Sequence, residues 1–259
     1  MDYQYVLLNV KNRLAIVTVN RPEALNSLNR EVIADIYNCM QEIDRKQLAD
    51  CVILTGAGRS FIAGADISTM VEMEGYEGRD WTKAGMDLMD LIENMRMPVI
   101  AAINGFALGG GCEIAMACDI RIASVKAKFS QPETGLGLIP GYGGTQRLPR
   151  LVGKGMAKYM ILTNEMINAE EAYRIGLVQK LTQPEELMDT AYEVAQKILS
   201  KAPLATRMAK RAINAATNTD LATGINYELE TYDIAFRSKD RKEGMQAFLE
   251  KRKPEFRDE

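Results

Sequence analysis

The chain has 259 residues, 47% of them hydrophobic and 26% charged, with a formal net charge of −3 and no histidine. The length is ample for a hydrophobic core, and the slight net acidity excludes bulk electrostatic attraction to nucleic acid or an anionic membrane. Without histidine there is no Ser-His-Asp or Cys-His catalysis and no imidazole-zinc site, so acid–base chemistry near neutral pH falls to carboxylates, lysine, tyrosine or cysteine.

The opening, Met1-Asp2-Tyr3-Gln4, carries an acid and runs into a strand pattern rather than a leader peptide. Residues 3–8 and 13–19 predict a β-hairpin with Asn12 at the turn. After the loop "NRPEALNSLN", Val32, Ile33, Ile36, Met40 and Ile43 recur at helical spacing. "CVILTG" (51–56) reads as a buried strand, "RSFIAGADI" (59–67) as an irregular loop, and 78–94 as an amphipathic helix. "PVIAAING" (98–105) and "DIRIAS" (119–124) are two further buried strands, with a helix between them. Strand–helix units recurring along the chain indicate a layered or spiral α/β fold. Beyond the Gly/Pro-rich stretch that follows Phe129, the pattern turns helical over 143–162, 168–174, 184–200, 203–218, 220–236 and 239–250. Pro203 in "KAPLAT" marks the expected boundary between a core (1–200) and a C-terminal helical region (201–259). The charged tail after Lys251 is the one segment whose composition permits disorder. No apolar run reaches the roughly 18–20 residues that span a bilayer. Cys39, Cys51, Cys112 and Cys118 form no CxxC pair and read as buried small residues of a reducing, cytoplasmic protein.

The P-loop pattern, a complete GxGxxG and the GxSxG elbow are all absent, so nucleotide and serine-hydrolase readings fail. Three stretches remain. In "GGGCE" (109–113) a helix N-terminus can offer backbone N–H groups to developing negative charge, and Glu113 in the first turn lies near the face of Gly110. The plain alternative is close packing, with Glu113 complementing the helix dipole. In "FSQPETGLG" (129–137), Pro132 stiffens the chain just before Glu133, which otherwise is an exposed turn residue. In "FIAGADI" (61–67), small residues around Gly64 permit close backbone approach, and Asp66 can cap a helix.

Taken in this order, "RPEALNSLN", "GRSFIAGADI", "PVIAAINGFALGGGCEIAMACDIRIAS", "FSQPETGLGLIPGYGGTQRLPRLVG" and "AFLEKRKPEF" closely resemble the crotonase (enoyl-CoA hydratase) superfamily over nearly the whole chain. The resemblance implies an α/β spiral of ββα units, the ClpP-like crotonase fold, and a C-terminal helical trimerisation region. It implies homotrimers that commonly pair into hexamers. The substrate would be an acyl-CoA thioester whose carbonyl is polarised by the N–H groups of Ala65 and Gly110. Glu113 and Glu133 match the two glutamates that hold a water in the hydratases. The implied reaction is reversible syn addition of water to a trans-2-enoyl-CoA in fatty-acid or related acyl-CoA metabolism. No metal and no separate cofactor are expected, because CoA arrives as part of the substrate.

CoA is expected to run past Ala63, Asp66, Ile67 and Ser68 and past Ala24 and Leu25 of "RPEALN". Gly141 would line the water and acyl region. Glu23 and Ser68 stand where the family often has lysine, which leaves the phosphate contacts unassigned, with Lys251 of the tail as one candidate. Met70, Met73, Trp81 and Met86 are candidates for the acyl pocket, although methionines at helical spacing are more often ordinary core. Within the superfamily, a cyclic enoyl-CoA hydratase or an isomerase is the competing reading. Outside it stand an inactive CoA-binding scaffold and an RNA-binding protein using Arg207, Lys210, Arg211, Lys239, Arg241 and Lys242. Neither nucleic acid nor membrane is expected as a partner.

Overall fold

The hairpin comes first: β1 (Val6–Lys11) and β2 (Leu14–Val19) pair antiparallel. Asn12 and Arg13 between them have φ of 52° and 64°, the left-handed pair that suits a two-residue hairpin turn. The computed structural model describes residues 3–259. Met1 and Asp2, where the absence of a leader was partly read, lie outside them. Helix α1 (Arg30–Arg45) is capped by Asn29, whose side chain accepts the Val32 N–H at 2.8 Å. It buries the predicted stripe of Val32, Ile33, Ile36, Met40 and Ile43.

Three ββα turns follow. The first is β3 (Cys51–Gly56), β4 (Ser60–Ile62), the single turn α2 (Ile67–Met70) and α3 (Glu77–Asn94). The second is β5 (Val99–Ile103), β6 (Phe106–Leu108) and α4 (Gly110–Ala117). The third is β7 (Ile120–Ser124), β8 (Lys128–Ser130) and α5 (Gly144–Thr163). In each turn the first strand enters one sheet and the second strand enters another, so the chain spirals. With β9 (Ile167–Asn168) and β10 (Lys180–Thr182), the large sheet has the order β1-β2-β3-β5-β7-β10 and the small one β4-β6-β8-β9. From β2 to β10 the large sheet is parallel. A parallel sheet is covered on both faces, and β3 is buried at every position. Val52 and Leu54 point into the main core. Cys51 and Ile53 point the other way, packing with Ile100, Ala102 and Ile122 against Leu187, Ala191 and Ala195 of α7 (Leu187–Leu199). Helix α6 (Ala169–Arg174) precedes that covering helix.

Two expectations need correction. The segment 59–67 is not wholly irregular, since it contains β4 and the start of α2. The helix over 143–162 is broken at Gly153, where φ 80° and ψ 155° interrupt the turn.

The last helices are α8 (Pro203–Ala216), α9 (Leu221–Phe236) and α10 (Lys239–Leu249). Helix α8 is bonded to the core: buried Lys210 Nζ donates to Met97 O at 3.0 Å and to Asp119 Oδ2 at 2.8 Å, and Asn214 donates to Glu93 O at 2.9 Å. Helix α9 leaves Leu221, Ile225, Leu229, Tyr232 and Ile234 exposed. The tail after Lys251 is not free of structure. Asp240 accepts the N–H groups of Arg257 and Asp258, and Arg252 pairs with Glu243. The basic clusters are likewise partly neutralised within the chain: Arg207 pairs with Asp258, Lys210 with Asp119 and Lys239 with Glu259. Among the described residues no helix is long and apolar enough to cross a membrane.

Candidate active site

The three consecutive glycines each meet a different constraint. Gly109 has φ 48° and ψ −122°, a backbone conformation that side chains disfavour, and a Cβ there would lie 2.7 Å from Glu133 Oε1. At Gly110 a Cβ would lie 3.0 Å from both Leu28 Cδ1 and Tyr142 Cε2. At Gly111 it would lie 1.9 Å from the Ile62 carbonyl oxygen, so α4 could not dock on β4. The triplet lets a helix start in close contact with a strand, a ring and a carboxylate.

Gly110 is the first residue of α4, so its N–H has no intrahelical acceptor. The second N–H comes from the bridge between Leu28 and Ala65. There Leu28 N–H donates to Gly64 O and Asp66 N–H donates to Leu28 O, both at 2.8 Å. These bonds flank Ala65 and leave its own N–H out of the pairing. Ala63, Ala65, Ile67, Gly110, Glu113, Glu133 and Gly141 all line one cavity of about 1050 Å³.

Glu113 is 1% exposed in the first turn of α4, yet its charge is provided for. Its Oε1 accepts the Tyr142 N–H at 2.8 Å and the Gly144 N–H at 2.6 Å. Burial raises its pKa to about 7; the Gly144 N–H opposes that rise, the nearby Glu133 adds to it and the Tyr142 N–H again opposes it. Glu133 opens a 3-10 turn, Glu133–Leu136, directly after Pro132. It is half-buried, its Oε2 is enclosed without a hydrogen-bond partner, and burial pushes its pKa to about 6. The two predicted glutamates therefore share a cavity, and both hold protons more tightly than a carboxyl in water.

Trp81, Met70 and Met86 also line the cavity, whereas Met73 packs on the core. Ala24, Leu25, Asp66 and Ser68, expected to contact CoA, do not line it. Leu25 O accepts the Ala63 N–H at 3.1 Å. Asp66 occupies the N-cap position of α2 without the expected capping bond. Its carboxylate is engaged by Ser68 Oγ at 2.6 Å and Arg21 Nη1 at 2.8 Å, which hold its pKa below the usual range.

Three supporting residues were not read from sequence. Buried Asn26 donates to Ala57 O and Ser60 O and accepts the Arg21 N–H, stapling the "RPEALN" loop to β4. Buried Gln131 donates to Gly109 O at 2.9 Å, fixing the peptide that precedes Gly110. Tyr142 holds Glu113 through its backbone. Only "GYGG", an aromatic among glycines, signalled the last of these. Among the described residues no group of three or more carboxylates or cysteines converges as metal ligands would.

A spiral of ββα turns that brings two unpaired N–H groups and two carboxyls to one cavity defines a crotonase-type fold and site. The chain belongs to the enoyl-CoA hydratase/isomerase family, whose model matches residues 9–259. It is 49% identical over 257 residues to a crotonyl-CoA hydratase of Syntrophomonas wolfei, covering 99% of each chain. It is 52% identical over 256 residues to a short-chain-enoyl-CoA hydratase of Clostridium acetobutylicum, covering 98% of each. In three dimensions it resembles the crystal structure of an enoyl-CoA hydratase from Bacillus anthracis, with a TM-score of 0.96 at 41% identity over 99% of this chain and 100% of that one.

Proposed function

We propose that this protein is an enoyl-CoA hydratase that adds water syn across the C2=C3 bond of short trans-2-enoyl-CoA esters, and reverses that step, in fatty-acid or related acyl-CoA metabolism. One observation carries the reading: a single cavity holds the Ala65 and Gly110 N–H groups together with two proton-retaining carboxyls, Glu113 and Glu133. The kinship with the crotonyl-CoA and short-chain hydratases supports it.

The thioester oxygen accepts hydrogen bonds from Ala65 and Gly110. Glu113 takes a proton from water as the water oxygen bonds to C3, and the π electrons move onto the thioester oxygen as an enolate. The two N–H groups stabilise that charge as it forms, a contribution of about 10²–10³-fold per donor. Glu133 then delivers its proton to C2. The proton left on Glu113 returns to Glu133 or to solvent before the next cycle. In dehydration each carboxyl takes the opposite role. Burial raises both carboxyls, so one of the pair can hold a proton near neutral pH while the other is ionised.

CoA enters as part of the substrate, and any contact with Ala24, Leu25, Asp66 or Ser68 would fall outside the cavity, which these residues do not line. A homotrimer or hexamer built on residues 201–259 is supported by the exposed apolar face of α9. A reducing, cytoplasmic setting is supported by four buried cysteines without disulfides. The test is loss of enoyl-thioester absorbance with C4 to C16 and cyclic substrates, with product analysis. Formation of 3-hydroxyacyl-CoA supports the reading; double-bond migration alone would make the protein an isomerase, and turnover of none would refute it.

A further inference from the structure

Tyr142 is wedged between two helices. A Cβ on Gly85 of α3 would fall 2.1 Å from its Cε1, and one on Gly110 of α4 would fall 3.0 Å from its Cε2. Both neighbours are glycine, so backbone clamps the ring from either side and leaves it 4% exposed. Trp81, 3% exposed, stands next to it and has a cavity on each side. It lines the active-site cavity and also a separate cleft of about 360 Å³ formed with Ile33, Ala34 and Tyr37 of α1 and Ala84 of α3. Trp81 thus stands between the two spaces, as a partition, with Tyr142 beside it on the active-site side.

The position of the partition relative to the reacting atoms follows from one bond. Tyr142 N–H holds Glu113 Oε1 at 2.8 Å, so the ring belongs to the residue that positions this carboxyl. On the proposed function, C3 of the substrate faces Glu113, in the cavity that Tyr142 also lines. We propose that Tyr142, backed by Trp81, is the stop that sets acyl-chain length: it accommodates the C4 methyl group and obstructs longer chains, which would otherwise reach the cleft between α1 and α3. The inference rests on the hydratase reading and deepens it. The stop acts through ring volume. The Tyr142 hydroxyl is enclosed, and its removal would leave the wall in place.

The experiment is kcat/KM for trans-2-enoyl-CoA esters of C4, C6, C8 and C10 with the wild-type protein, Tyr142→Ala, Tyr142→Phe and Trp81→Ala. Each methylene that fails to fit a pocket is worth about 10-fold or more in discrimination. The wild type is expected to fall by at least about 10-fold from C4 to C8. Tyr142→Ala is expected to raise the C8:C4 ratio by at least about 10-fold, with Trp81→Ala shifting the ratio in the same direction and Tyr142→Phe keeping the wild-type ratio. A flat wild-type profile from C4 to C10 would overturn the proposal without any variant. So would a ratio unchanged in Tyr142→Ala, or one that rises equally in Tyr142→Phe. Hydration with an unaltered profile refutes the stop alone, whereas absence of hydration on every ester refutes the hydratase reading.

Discussion

Alanine placed in turn at Gly109, Gly110 and Gly111 should give three different phenotypes, because each Cβ meets a different kind of atom. At Gly109 the nearest atom is Glu133 Oε1, 2.7 Å away, and the backbone sits at φ 48°. The conformational strain costs about 1–3 kcal/mol. For a chain of this size each kcal/mol lowers the melting temperature by about 2–4 °C, so a 2 kcal/mol loss gives a fall of about 4–8 °C. The protein still folds, because the obstructing atom is the end of a movable side chain. That side chain is the proposed proton donor, however, and a displacement of about 1 Å costs on the order of 10²-fold in rate. At Gly111 the obstruction is the Ile62 carbonyl oxygen at 1.9 Å, which cannot move without parting α4 from β4. That variant should fail to accumulate as folded protein. At Gly110 the 3.0 Å contacts are to Leu28 Cδ1 and the Tyr142 ring, and the loss should lie between the other two. The assays are thermal unfolding and hydration of crotonyl-CoA. Gly109→Ala should also cause little further loss in a Glu133→Gln background, since it acts through that carboxyl. A Gly109→Ala protein with an unshifted melting temperature and turnover within about threefold of wild type would refute the reasoning.

Glu113→Gln and Glu133→Gln should each lower kcat by about 10²–10⁴-fold with the fold retained, as measured by crotonyl-CoA hydration and circular dichroism. The pH profile of kcat/KM should be bell-shaped with its maximum near pH 6–7, because turnover needs one carboxyl protonated and one ionised; a flat profile from pH 5 to 9 would contradict the pair. Stability follows the opposite sign from an ordinary paired carboxylate. In the folded protein the two carboxyls titrate at about 7 and about 6, above the ordinary glutamate value of 4.5, so the pair's contribution is full below about 4.5 and is lost as pH rises through 6 and 7. The double Glu→Gln variant should remove that part of the slope in a pH series of melting temperatures. Lys210→Met leaves Asp119 without its cation in a buried setting and should cost about 3–5 kcal/mol, a fall of about 6–20 °C in melting temperature.

Long elements were legible because each repeats its signal. α1 and α3 carry several turns of apolar spacing, and β3 is apolar from Cys51 to Leu54. The small sheet was not legible. Strands β4, β6 and β8 have three residues each, too few for a period of two to emerge, and what makes them strands is one another. The tail after Lys251 misled for a related reason: its charges look solvated in composition, but Glu243 of α10 pairs with Arg252 and Asp240 accepts the backbone N–H groups of Arg257 and Asp258. At the site, Glu113, Glu133 and the glycines stood out because a carboxyl or a glycine is unusual in its local setting. Gln131 did not, because one amide bond leaves no compositional trace, and Tyr142 was marked only as an aromatic among glycines. Resemblance to a family reached the positions of Ala65 and Gly110, which no side-chain argument could have identified as donors.

The apolar character of α4 now has a physical reason. Its eight residues are buried throughout, including a carboxyl at the N-terminal end, and such a helix is stable only if both sets of terminal backbone groups find partners. At the C-terminal end the guanidinium of Arg121, 5% exposed, donates to Cys118 O at 2.6 Å and Ala115 O at 3.4 Å while its Nε bonds Leu177 O at 2.7 Å. A cation there complements the negative end of the helix dipole. At the N-terminal end Gln131 holds Gly109 O, and the Tyr142 and Gly144 N–H groups hold Glu113. Side chains thus anchor the helix at both ends, while the Gly110 N–H, which the proposed mechanism assigns to the thioester oxygen, has no acceptor within the helix. A donor held this rigidly before substrate arrives needs little reorganisation when charge develops on the thioester oxygen, which is the condition under which a backbone N–H contributes most to rate.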